Sequence, residues 1–101
     1  MAMVFRLRGR LSLSQGADLR KQFWEAVYGG RTRKLILELS GVSELDPSTI
    51  SLFIATRHMV DKRHGRLLLA GLNEAHYQVL SRTSLLDYFD ICETVAEALE
   101  K

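Results

Sequence analysis

Residues 34–51 read Lys-Leu-Ile-Leu-Glu-Leu-Ser-Gly-Val-Ser-Glu-Leu-Asp-Pro-Ser-Thr-Ile-Ser. The first six, Lys34–Leu39, form a short and almost wholly apolar run with Ser40-Gly41 behind it. That pattern predicts a central strand covered on both faces. Asp46 and Pro47 then open a helix. A carboxylate at the N-cap accepts from the free N–H groups of the first turn, and proline at the next position has no N–H to leave unsatisfied. From Pro47 to about His64, the residues Ile50, Leu52, Phe53, Ile54, Met59 and Val60 surround the early turns with apolar side chains, so the N-terminal half of this helix must pack deeply. Gly65 takes the position after the helix, where a left-handed backbone is expected. Arg66–Ala70, Arg-Leu-Leu-Leu-Ala, gives a second buried strand closed by Gly71. Strand, helix and strand in that order imply a parallel pair with a right-handed crossover.

Outward from this centre the pattern changes period. In residues 3–13, Met3, Phe5, Leu7, Gly9, Leu11 and Leu13 fall on one face, and Val4, Arg6, Arg8, Arg10 and Ser12 on the other. Gly9 predicts a turn or bulge that splits this run into two antiparallel strands. Ser14 is the expected N-cap of a helix to about Tyr28, with Leu19, Phe23, Ala26 and Val27 as its apolar stripe. Gly29-Gly30 is expected to end it with a left-handed turn. Towards the other end, Asn73 caps a shorter helix through about Arg82, and a brief strand follows near Tyr88–Cys92. Thr94-Val95-Ala96-Glu97 opens the last helix as a capping box. The predicted fold is α/β, one domain over residues 1–101. It has the order β-β-α-β-α-β-α-β-α, with a mixed, mainly parallel sheet of about five strands and about four helices.

Composition narrows the function classes. The chain has 101 residues, of which 47% are hydrophobic and 26% charged, enough for one ordinary core without staples. Its single cysteine, Cys92, forms no internal disulfide and reads as a packing thiol in a reducing compartment. No apolar run reaches the ~18 residues of a membrane span, and the charged start is unlike a signal peptide, so a cytoplasmic location is expected. A formal net charge of +2 gives little support for nucleic acid. Arg6, Arg8 and Arg10 make a basic ridge, and Arg31, Arg33 and Lys34 a second cluster. Each is a solvated face, or a docking surface for an acidic partner or for phosphates. No aromatic residue interleaves with them, which argues against single-stranded nucleic acid. His58 and His64 are six apart and so lie on different helix faces, while His76 sits near the Leu72/Val79/Leu80 stripe as a packing histidine. Asp46 has no second ligand or base nearby. No Ser-His-Asp arrangement, nucleotide loop or metal spacing is present, so neither catalysis nor a cofactor nor a metal is expected. Trp24 and Tyr28 lie one turn apart beside the first helix's stripe, at the core edge or, if exposed, as interface anchors.

The stretch 34–51 resembles the STAS family of anti-sigma-factor antagonists and the related domains of sulfate transporters. The carriers are the strand Lys34–Leu39, the expected turn Ser40-Gly41-Val42, and the helix opener Leu45-Asp46-Pro47-Ser48-Thr49. The Gly9 region, Gly65 with its apolar strand, and Thr94-Val95-Ala96-Glu97-Ala98-Leu99 agree in order and spacing. The resemblance implies a non-catalytic regulator that binds an anti-sigma factor with serine-kinase activity and is released when a serine at the helix start is phosphorylated. That serine is Ser48, two after Asp46, with Thr49 as the alternative hydroxyl. Asp46, Pro47, Ser48, Thr49 and Ser51 are the expected partner-binding residues. Pro47 stands where the family has its first serine and Thr49 where it has glycine. STAS-like proteins also serve as permanent cytoplasmic subunits bound to the ATPase of lipid-transporting ABC systems, with openers that stray in the same way. That is the alternative function.

Overall fold

The computed structural model describes residues 2–11, 13–30 and 32–101, the side chains of 13–15 excepted. The elements are β1 (Ala2–Arg10), α1 (Leu13–Tyr28), β2 (Lys34–Glu44), α2 (Pro47–Lys62), β3 (Arg66–Ala70), α3 (Glu74–Arg82), β4 (Asp90–Cys92) and α4 (Val95–Glu100). The strands lie side by side in the order β1-β2-β3-β4, and each neighbouring pair is parallel. The α/β class, the four helices and the parallel centre are as the sequence predicts.

The opening of the chain is not. Instead of an antiparallel pair split at Gly9, there is one strand, parallel to β2, and the described sheet has four strands rather than five. Gly9 does adopt a left-handed backbone, φ 72°, but it lies inside β1. Two register shifts absorb the irregularity: β2 passes one extra residue between the partners of Arg6 and Arg8, and another between those of Gly9 and Arg10. A bulge of this kind bends a strand without reversing it. Because α1 begins at Leu13, too little chain remains after Arg10 for a second strand. The expected turn at Ser40-Gly41-Val42 is likewise absent, since β2 runs on to Glu44.

Period-two alternation sorts the sheet into two faces. Leu35, Leu37, Leu39, Leu67 and Leu69 join Phe23 and Val27 of α1 and Phe53 and Val60 of α2 in the main core. Ile36, Leu68, Ala70 and Cys92 form a second, smaller core with Ala98 of α4. Leu35, Ile36 and Leu37 are all fully buried, which explains the unbroken apolar run: β2 has no wet face at its centre. Cys92 is a buried free thiol.

Helix ends follow their caps, with one shift of register. Asn73 accepts from the His76 backbone at 2.8 Å, and Thr94 accepts from the Glu97 backbone at 3.1 Å. The Glu97 carboxylate reaches the Glu93 N–H, at 3.4 Å, so that box closes one residue early. Beyond α2 the left-handed residue is His64, φ 59°, not Gly65. Gly65 is needed for space: its N–H donates to Val60 O at 3.0 Å, and a Cβ there would stand 2.8 Å from Arg33 O. Gly29 also lacks a left-handed backbone, and a Cβ there would meet Glu25 O at 2.8 Å. α1 already includes Leu13, so Ser14 lies inside its first turn and is not the N-cap the sequence predicts; the Ser14 side chain and Arg31 lie outside the described residues.

Candidate functional site at the start of α2

The end of β2 sets the site. Leu45 is buried and anchors the chain, after which Asp46 takes the extended backbone of an N-cap, φ −87° and ψ 169°. Asp46 Oδ1 accepts from the Thr49 N–H at 2.8 Å and from the Ser48 hydroxyl at 2.7 Å. The carboxyl is held below its usual range, first by the Thr49 backbone N–H and then by the Ser48 hydroxyl, against a smaller opposing effect of burial. Pro47 fills the first helical position. The structure thus brings Asp46, Pro47, Ser48, Thr49 and Ser51 together on one helix tip. Pro47 and Ser51 are exposed, and Asp46 and Ser48 half-buried. Thr49 is buried, only 4% exposed, although it too borders the groove beside α1.

An open groove of about 430 Å³ passes the tip. Ser48, Ser51 and Leu52 form one wall, and Gly16, Leu19 and Arg20 of α1 form the other. Sequence reading placed the α2 residues but not this opposing wall. Two parallel crossovers on the same sheet face start their helices at the same end, and that signal would have paired Gly16 and Arg20 with Ser48.

The remaining candidates have other partners. His76 is 1% exposed. Its Nδ1 accepts from the Asn73 N–H at 3.1 Å, which leaves Nε2 to donate to Val42 O at 2.9 Å. Lys34 Nζ donates to Ala98 O and Leu99 O, both at 3.0 Å, and so closes the end of α4. Arg6, Arg8 and Arg10 are exposed, with Arg10 paired to Glu44 at 3.4 Å. His58 and His64 are exposed. Trp24 is 55% exposed and Tyr28 half-buried, so the tryptophan stands proud of the core edge. Among the described residues, no three His, Cys, Asp or Glu side chains converge as a metal site requires, and no helix is long and apolar enough to cross a membrane.

Comparison with known proteins gives a consistent picture. The fold matches protein TM1081 of Thermotoga maritima at a TM-score of 0.90 and 22% identity, covering 99% of this chain and 80% of that one. It matches an anti-sigma factor antagonist from Mycobacterium paratuberculosis at a TM-score of 0.84 and 20% identity, covering 98% and 83%. It also matches the Bacillus cell fate determinant SpoIIAA in its phosphorylated form, at a TM-score of 0.77 and 21% identity, covering 98% and 88%. At such identities the likeness is one of fold. The sequence itself matches the family model of the STAS domain over residues 1–98, nearly its whole length. With a buried strand leading into an Asp-capped helix tip and this match over the same residues, the chain belongs to the STAS domain family.

Proposed function

We propose that this STAS protein is a cytoplasmic, non-catalytic regulator of the anti-sigma-factor antagonist kind. It binds an anti-sigma factor that is also a serine kinase and is released when Ser48 is phosphorylated. The observation that carries the reading is the place of the Ser48 hydroxyl: on the first turn of α2, half-exposed, at the mouth of an open groove. A phosphate there brings about −1.5 to −2 charge. It would replace the 2.7 Å bond to Asp46 with repulsion from the same carboxylate. The backbone N–H groups of the helix start offset part of that repulsion. The fold survives, and a close interface over the tip does not, because burying an unpaired charge costs several kcal/mol.

The neighbourhood of Asp46 also supports the constitutive reading, a permanent subunit on the ATPase of a lipid-transporting ABC system. A hydroxyl already held by an ionised carboxylate is a poor place for a second anion. Affinity capture from the source cell followed by phosphosite mapping separates the two. The switch reading expects a kinase partner, phosphate on Ser48, binding by Ser48→Ala and at least about tenfold weaker binding by Ser48→Asp. Binding by Ser48→Asp at full strength would remove the switch, and phosphatase-insensitive capture of a transporter ATPase would establish the alternative.

A further inference from the structure

Three separate hollows lie along the seam between α1 and α2. Beyond the groove at Ser48 lies a second hollow of about 300 Å³, floored by Ala55, Thr56 and Met59 and walled by Arg20 and Trp24. A third, of about 690 Å³, lies at the far end between Val27, Thr32 and the cations Arg33, Lys62 and Arg63. Both helices have 16 residues, which makes the seam about 24 Å long at 1.5 Å per residue. Trp24 stands over it, its ring centroid 4.2 Å from that of Tyr28, while the Arg63 guanidinium lies 5.0 Å from the Tyr28 centroid. A large ring ordered by a neighbour and still mostly exposed is a prepared anchor, since little side-chain freedom is left to lose on binding. The described lining residues of the three hollows include Arg20, Arg33, Lys62 and Arg63 and no carboxylate.

We infer that the α1–α2 seam is the docking groove for an acidic amphipathic helix of a partner protein. The charge calls for an acidic occupant, and the length fits about four helical turns. An extended segment would leave its backbone groups unpaired here, because the seam offers side chains and no strand edge. A helix satisfies its own backbone and presents one apolar stripe to Trp24, Ala55 and Met59. The inference rests on reading the chain as a protein-binding module, independently of any modification at Ser48.

Trp24 is the single tryptophan of the chain, so its emission reports on the groove directly. The probes are two amphipathic peptides of about four turns, both free of tryptophan and carrying a leucine stripe, one flanked by Glu and the other by Lys. The Glu peptide should shift Trp24 emission to the blue and saturate. It should bind at least about tenfold more tightly than the Lys peptide and lose about tenfold in the exposed-site double variant Arg20→Glu/Arg63→Glu. Circular dichroism confirms that the variant is folded. Any of four results overturns the inference: no response, equal affinity for the two peptides, undiminished binding by the variant, or a Trp24 shift given by phosphatidylglycerol vesicles and not by the Glu peptide. Self-association of the protein that the same double variant abolishes would assign the groove to a second copy and overturn it as well. Peptide binding unchanged by Ser48→Asp, in a protein whose captured partner is also unaffected, leaves the groove standing and removes the switch. Failure of the Glu peptide with a partner still lost on Ser48→Asp does the reverse.

Discussion

Asp46 illustrates how much one side chain can settle. Its carboxylate holds both the Thr49 N–H and the Ser48 hydroxyl, so Asp46→Ala should lower unfolding stability by about 1 kcal/mol at neutral pH. Its folded pKa lies below its unfolded one, so the stabilisation is complete above the unfolded value, near 3.9, and fades as pH falls through the folded value. In urea titrations the gap between wild type and Asp46→Ala should therefore hold at pH 7 and close below about pH 3.9. His76 is a second such residue. Removing it by His76→Ala orphans the Asn73 N–H and the Val42 carbonyl and empties a buried site, which should cost about 3 kcal/mol by thermal unfolding. The two differ in legibility. Asp46-Pro47 announces a helix start within two letters. The bond from His76 to Val42 joins residues 34 apart and shows in no local pattern.

Among the elements, α2 carries the most. Its early turns are apolar nearly all round, and accordingly Phe53, Leu52 and Thr56 are buried together. Phe53→Ala should cost about 3–5 kcal/mol and abolish the cooperative urea transition or shift it sharply. Gly65→Ala should cost about 1–3 kcal/mol, because the new methyl meets Arg33 O and Val60 Cγ1 at 2.8 and 3.0 Å. The inner helices and β3 were legible from their apolar period and approximate ends, although Gly29 and Gly65 do not take the left-handed backbone expected of them. β1 was misread because glycine in an alternating run signals a bulge as well as a reversal, and only the register with β2 decides between them. The strand end at Glu44 was missed for a related reason: Ser40-Gly41 looks like punctuation, yet paired to β1 it simply continues the ladder.

At the scale of the molecule, the sheet is covered unequally. The main core lies under α1 and α2, whereas the opposite face relies on the six residues of α4, too few to be stable alone. Native-state hydrogen exchange should show amides of Leu35–Leu39 and Leu67–Ala70 opening only with global unfolding, and those of α4 exchanging faster by local release. Alternation in β2 and β3 made this layering legible, but the α1 wall of the groove was not, because it depends on how two crossovers sit side by side. The strand order also leaves β1 at one border of the described sheet, with Arg6, Arg8 and Arg10 exposed along it. A second molecule adding there in antiparallel fashion would bring its own arginine row against this one, and like charges on facing strands repel. The exposed ridge thus disfavours direct pairing of two copies through this open sheet border.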